Sequence, residues 1–263
     1  MAWELINMTK FDVSIVIVTI ARKNLLRSVR SVFAQKYSGK IQVLVGIDID
    51  IYNQSKLIYQ TLINECPENI VLTWIDLGYS TSVRHSGIHA SFYGGSLRTA
   101  MSFLANSEYV VYLDDDDWFL ENHVSSMLEI IKDHVWAFSY SYYADGNTST
   151  PLCVDEIESV GVSQGVYAKK FGGFVRPSGL TLNKLKTMHL LHIWSMSLSK
   201  YGDGEDRLIF EHLRKLPHAF SKNATVCAAI DPLDGNHSLR KDFILSKGIQ
   251  YSTYRKMDSS RAN

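Results

Sequence analysis

Cysteine is scarce in this chain. Cys66, Cys153 and Cys227 stand far apart with no Cys-x-x-Cys spacing, so neither a disulfide framework nor a zinc site is expected, and a reducing compartment fits best. Net charge is missing as well: 27 Lys and Arg balance 27 Asp and Glu, which removes the overall electrostatic case for nucleic-acid binding. No apolar stretch exceeds strand length, which excludes a membrane-spanning helix. Residues 1–12 carry Glu4 and Asp12 and lack a basic segment followed by an apolar core, which argues against a signal peptide. Without that signal, the Asn-x-Ser/Thr triplets at Asn7, Asn147, Asn223 and Asn236 read as chance. Internal repeats and low-complexity linkers are absent too.

What is present is an alternation of apolar runs and amphipathic segments. Val13 to Thr19 is β-branched throughout apart from Ser14, as a strand buried on both faces would be. Lys23 to Gln35 sets Leu25, Leu26, Val29, Val32 and Phe33 on one helical face. Ile41 to Ile47 reads as a second strand, Lys56 to Glu65 as a helix, and Ile70 to Ile75 as a third strand. A polar, glycine-rich stretch follows from Gly78 to Gly95, long enough to be functional or mobile. Leu97 to Ala105 reads as a helix, Tyr109 to Leu113 as a fourth strand, Leu120 to Ile131 as a helix and Trp136 to Tyr143 as a strand. Residues 144–185 mix short strands and turns, and Gly204 to Leu216 is a further helix. Strand–helix alternation predicts an α/β fold with a mostly parallel sheet flanked by helices, and an α+β C-terminal part. Ligands in such folds lie beyond the carboxyl ends of the strands. Asp48, Asp50 and the run Asp114, Asp115, Asp116, Asp117 occupy such ends.

Four successive aspartates repel one another unless a cation or several N–H groups compensate. A hard divalent ion, Mn²⁺ or Mg²⁺, meets that need and also bridges a diphosphate. In an extended segment Asp114 and Asp116 point the same way, giving Asp-x-Asp spacing. The alternative is that Asp116 or Asp117 caps the next helix.

These features together resemble the family 2 glycosyltransferases, which have the Rossmann-like GT-A fold. Val13 to Thr19, Arg22, Ser31, Val32, Gln35 and Tyr37 are similar to that family's opening strand and helix. Ile41 to Asp48 is similar to its second strand. Gly95, Arg98, Ala105, Glu108, Tyr109 and Leu113 to Asp117 are similar to its approach to the Asp-x-Asp motif, and Gly204, Glu205 and Asp206 to its late acidic motif. The sequence departs from the pattern at Val18, where proline is usual, at Ala21, where asparagine is usual, at Asp48 to Ile51, where the usual glycine turn is missing, and at Leu97 and Thr99 around Arg98.

The resemblance implies a nucleotide-sugar-binding half over residues 1–118, an acceptor-binding half over 119–247 and a tail over 248–263. It implies that Asp48 holds the base, usually uracil, in a pocket lined by Thr19, Ala21 and Arg22 with Asp50 close by. Arg98 would reach the donor, Asp114, Asp115 and Asp116 would bind the sugar nucleotide, and Asp114, Asp116, Asp117 and His237 would hold the metal. Asp206, with Glu205 beside it, would be the general base for inverting transfer from a UDP-sugar to a hydroxyl of a glycan or glycolipid. The helix dipole at the start of a helix favours both carboxylates, and Asp203 and Asp206 have capping-box spacing. No nucleic-acid partner is expected. The expected setting is cytoplasmic, with at most peripheral association at the inner membrane face, and self-association is left open.

Three other readings share parts of this pattern: a retaining GT-A transferase, a sugar nucleotidyltransferase, and a non-catalytic sugar-nucleotide or glycan-binding subunit. A nucleotidyltransferase usually carries a glycine-rich phosphate loop, and residues 19–23 have no glycine. Further along the chain, Arg176 is a candidate for an anionic group, Ser178 for a sugar hydroxyl, and Trp118, Trp136 and Trp194 for stacking on sugars, with core packing as the alternative. Arg84 and His85 belong to a loop suited to closing over the donor, while His85 and His89 make a poor metal pair because Gly87 lies between them.

Overall fold

The computed structural model describes residues 10–200 and 202–251. Its first half follows the alternation expected from the sequence: β1 (Phe11–Thr19), α1 (Asn24–Phe33), β2 (Ile41–Ile47), α2 (Ser55–Glu65), β3 (Ile70–Asp76), α3 (Gly95–Leu104) and β4 (Ser107–Tyr112). The chain continues through β5 (Trp118–Phe119), α4 (His123–Ile131), β6 (Trp136–Asp145), β7 (Thr150–Val154), β8 (Gly161–Val162), α5 (Ala168–Phe171) and β9 (Gly173–Phe174). It then forms β10 (Leu180–Asn183), α6 (Lys184–Thr187), a 3₁₀ segment over Met188–Ser195, α7 (Glu205–Leu213), β11 (His218–Ala229) and α8 (His237–Ser246).

The strands order as β3-β2-β1-β4-β10-β6-β11-β5, with β7 paired to β6. β3, β2, β1 and β4 are mutually parallel. β10 enters antiparallel between β4 and β6, so the two halves share one sheet. Alternation along β1 sends Val13, Ile15 and Ile17 to one face and Val16 and Val18 to the other. The first face packs on Leu25, Val29 and Val32 of α1 and Ile58 and Leu62 of α2. The second packs on Leu97 and Met101 of α3, Leu191 and Trp194 of the 3₁₀ segment, and Phe210 of α7. Each helix therefore forms where its apolar stripe meets a sheet face, with charges such as the Arg30–Glu65 pair (2.7 Å) left outside.

Two expected boundaries move. The helix expected from Leu120 begins at His123, because Trp118 and Phe119 pair with Cys227 and Val226 of β11 as a short strand. That strand separates Asp116 and Asp117 from α4, so neither caps it, and no side chain caps at Asn122. The helix expected from Gly204 starts at Glu205 with Gly204 at φ 88°, and Asp203 provides no capping-box bond to it. α8 lies where no helix was expected. Residues 252–263 of the expected tail, and the triplet at Asn7, lie outside the described residues.

The Cβ that Gly46 lacks would sit 2.6 Å from Met101 Sδ and 2.8 Å from Leu97 Cδ2. β2 and α3 approach there because the position is glycine, and they thereby set the floor beneath the sheet's carboxyl edge. Gly46→Val should cost about 1–3 kcal/mol by overpacking, lowering the melting temperature by several degrees in a calorimetric scan.

Candidate active site

The four aspartates sit on a turn rather than an extended strand: Asp117 N donates to Asp114 O at 3.2 Å. The turn nevertheless alternates them, with Asp115 and Asp117 buried and Asp114 and Asp116 about a third exposed. Asp115 accepts from Thr19 Oγ1 (2.5 Å) and Arg22 Nε (3.1 Å) and is also paired with Arg22 Nη2. Asp117 accepts from Ser178 Oγ (2.6 Å) and from Ala229 N at the end of β11 (2.9 Å). Burial pushes Asp117 up to about 6, with Asp114 adding to the effect and Arg176 opposing it. Asp114 accepts from Arg98 Nη2 at 2.8 Å. Asp116 has the least compensation, with Arg22 Nη1 at 3.4 Å. Burial, then Asp117 and Asp115, hold its carboxyl well above the usual range, and Arg22 only partly offsets this.

This sorting changes what two residues can do. Asp115 is a buried brace for Thr19 and Arg22 rather than a group facing the donor. Asp117, expected among the metal ligands, is buried as a pin joining three chain segments, which leaves Asp114 and Asp116 as the aspartates with carboxyl surface that could meet a metal. Among the described residues no group of three or more His, Cys, Asp or Glu side chains is gathered as a metal site. His237 therefore does not join the aspartates there; it opens α8, with its ring 6.2 Å from that of Tyr251. Two carboxylates suit a Mg²⁺- or Mn²⁺-type ion that completes its shell with substrate phosphates and water.

Beside the turn, the ends of β1 and β2 bring Thr19, Ala21 and Asp48 together. Asp48 N donates to Thr19 O (2.8 Å), and buried Asp48 accepts from Ser80 Oγ (2.9 Å). Ala21 holds φ 59° with its N–H on Thr19 Oγ1 (3.0 Å), a left-handed conformation that costs a non-glycine residue of order 1 kcal/mol. Asp50 departs from expectation. Both its oxygens accept backbone N–H groups, from Gln54 and Ser55 at 2.9 Å, so it starts α2. The stretch from Gly78 to Gly95 is not an open loop: Ser82 bridges His89, and Phe92 N donates to Gly202 O at 2.8 Å. His89 Nδ1 accepts from Ser91 N, consistent with a structural use of that ring.

Arg98, on α3, is buried beneath the turn and stacked 5.0 Å from the Trp194 ring centroid. Burial disfavours its charge, but Asp114 and Glu205 more than offset that and raise its pKa. Glu205 and half-buried Asp206 open α7 and line a cavity of about 280 Å³. Glu205 is 6% exposed, its Oε2 takes no hydrogen bond among the described residues, and burial with Asp206 nearby pushes it up to about 7. Burial also raises Asp206, against Arg207 and the hydrogen bond from Arg207 N (2.8 Å). Both carboxyls at the start of α7 are thus held above the ordinary carboxylate range.

Several candidates from the second half are structural. Arg176 is paired with buried Asp155 (2.8 Å), and Ser178 is spent on Asp117 and on Asp114 N (3.0 Å). Trp118, Trp136 and Trp194 are all at most 8% exposed, so none offers a ring to a sugar; Arg27 covers Trp118 at 4.0 Å. Sequence reasoning missed Ser80, and it missed the rest of the cavity wall, including Tyr93, Glu158, Tyr167, Asn236 and Arg240. These come from separate segments, and no local motif announces them.

A parallel α/β half, an aspartate turn at its carboxyl edge and a mixed second half on the same sheet define a GT-A glycosyltransferase architecture. The sequence model of glycosyl transferase family 2 matches residues 14–153, more than half of the chain, and the chain belongs to that family. Among solved structures, S. aureus TarS has a TM-score of 0.57 at 14% identity, over 90% of this chain and 39% of TarS. TarS 1–349 in complex with UDP-GlcNAc gives 0.57 and 14%, over 86% of this chain and 60% of that one. The mannosyltransferase PcManGT from Pyrobaculum calidifontis, in complex with GDP-Man and Mn²⁺, gives 0.57 and 10%, over 91% and 64%. At these identities the likeness is one of fold, and the chain spans less than two thirds of the length of each of these three. No curated protein matches the sequence.

The elevated Glu205 has a sign that stability measurements can read. Its folded-state carboxyl binds a proton more tightly than the unfolded one, so its contribution is greatest below about pH 4.5 and is lost as pH rises to about 7. Glu205→Gln should flatten the fall in chemical-denaturation stability across that window, and an unchanged slope would show that the group is not buried as described.

Proposed function

We propose that this chain is an inverting, metal-dependent glycosyltransferase that moves a sugar from a nucleotide-diphosphate sugar, a UDP-sugar in the first instance, to a hydroxyl of a glycan or glycolipid. One observation carries the reading. Arg98 joins two carboxylate groups, ion-paired to Asp114 at 2.8 Å on the donor side while lying in the field of Glu205 on the wall of the cavity beside α7. Donor and acceptor sites that share one buried cation are what a direct displacement needs, because charge forms on the leaving diphosphate as a proton leaves the nucleophile.

Asp48, fixed by Ser80, receives the base, and Thr19, Ala21 and Arg22 form the pocket edge, held from behind by Asp115. Arg98 stabilises the diphosphate. Asp114 and Asp116 hold Mn²⁺ or Mg²⁺, which when bound supplies positive charge to the leaving group. Asp206 takes the acceptor proton, and Glu205 sets the field around it. The ligands named with the neighbouring structures, UDP-GlcNAc in one and GDP-Man with Mn²⁺ in another, support a nucleotide-sugar donor with a divalent ion. The unpaired Cys66, Cys153 and Cys227 suit a reducing, cytoplasmic setting. Among the described residues no helix is long and apolar enough to cross a membrane.

Thermal shift with UDP-, GDP-, CMP- and dTDP-sugars, with and without Mn²⁺, tests the donor. One nucleotide should raise the melting temperature by several degrees at saturating ligand, and Asp116→Ala should lose the metal-dependent part. Asp206→Asn should cut transfer by roughly 10²- to 10⁴-fold while donor binding persists. Product of retained anomeric configuration, read by NMR, would refute the inverting assignment.

A further inference from the structure

We infer that the cavity opening beside α7 admits the non-anionic end of a carbohydrate, a glycosyl unit bearing neither phosphate nor carboxylate, and rejects anionic acceptors. This rests on the glycosyl-transfer reading and names the class of acceptor it would use.

Charge is the first argument. The cavity wall carries five carboxylates, Glu158, Asp203, Glu205, Asp206 and Asp234, against the two guanidinium groups of Arg207 and Arg240. Arg240 is not presented to a ligand. Arg240 is spent on Glu158 through Nε (2.5 Å) and on Asp234 through Nη1 (2.9 Å). Arg207 lies over the Phe171 ring at 4.8 Å. A phosphate or carboxylate entering here would meet more carboxylates than guanidinium groups on the wall, with Arg207 held over the Phe171 ring.

The second argument is what the wall offers instead. Buried Glu205 keeps Oε2 without a hydrogen bond among the described residues, and half-buried Asp206 beside it offers carboxylate oxygen to an incoming hydroxyl. Tyr167 and Phe174 meet edge to face at 5.6 Å, and Tyr93 adds a third, exposed ring. Aromatic faces beside carboxylate acceptors match a pyranose, which has apolar C–H faces and an equator of hydroxyl donors. The wall is also fixed in advance. Glu158 accepts from Tyr143 Oη (2.7 Å), Tyr167 Oη (3.3 Å) and Asn236 Nδ2 (2.9 Å) as well as from Arg240. Ordering entropy at this wall is thus spent in folding rather than in binding. At about 280 Å³ the space takes a sugar ring or two and no extended polymer.

Saturation-transfer NMR on the full chain tests this with matched ligands: methyl hexopyranosides, their 6-phosphates, the corresponding uronates and a 2-amino-2-deoxy glycoside. The neutral and amino members should bind at least about tenfold more tightly than their anionic partners. Asp234→Asn, which releases one arm of Arg240, should narrow that ratio several-fold. Should this variant misfold, Asp203→Asn on the exposed rim lowers the same negative field and should narrow the ratio in the same direction. An anionic ligand bound as tightly as its parent, or no saturation of any uncharged glycoside, overturns the inference. The nucleotide-sugar thermal shift runs on the same sample. A retained shift with a failed panel sinks the acceptor class alone, and a missing shift sinks the transfer reading.

Discussion

Like-charge repulsion among Asp114, Asp115, Asp116 and Asp117 is the constraint around which this fold is arranged. Four carboxylates on one turn cannot all stay ionised without partners, and the structure supplies those partners from distant parts of the chain. Arg22 and Thr19 from β1's exit take Asp115, Ser178 and the end of β11 take Asp117, and Arg98 from α3 takes Asp114. Asp116 is left with the weakest compensation, so the unrelieved repulsion falls on one partly exposed carboxyl and raises its affinity for a proton.

The same contacts stitch the sheet's halves together where rigidity matters. Asp117 links the turn to the segment ahead of β10 and to β11. Arg27 of α1 donates to Asp116 O and Gly146 O at 2.6 Å while covering Trp118. A substrate site built on such a turn is held by several elements at once, so the geometry between Asp114 and Asp116 is decided in folding rather than on binding. Removing one partner of such a buried pair leaves the other charge uncompensated.

Much of this was legible in the sequence. Apolar runs rich in β-branched residues gave the parallel strands, the 3.6-residue spacing of Leu25, Val29 and Val32 gave α1, and the unusual density of aspartate after Val110 and Leu113 marked the candidate site. What was not legible is which aspartate does what. The sequence suggested an extended segment with Asp114 and Asp116 on one side; the structure has a turn, in which these two are the partly exposed members. Asp50 and Ser178 looked like ligand contacts because polar residues at strand ends have two uses, and only the fold shows that Gln54 N, Ser55 N and Asp117 consume them. The tryptophans were ambiguous for a similar reason: sugar faces and protein cores reward the same side chain. The cavity wall was invisible because Tyr93, Glu158, Tyr167 and Arg240 are far apart along the chain and follow no period.

The bond from Phe92 N to Gly202 O has a consequence for how the molecule can vary. Gly202 adopts φ 81°, and a Cβ there would lie 2.0 Å from Ala90 O and 2.4 Å from the Phe92 ring. The stretch beside Asp48 and the backbone at Gly202 ahead of α7 are therefore keyed to each other like two leaves of one hinge. Lengthening either alone would pull the seam out of register, so changes of loop length on the two sides have to occur together.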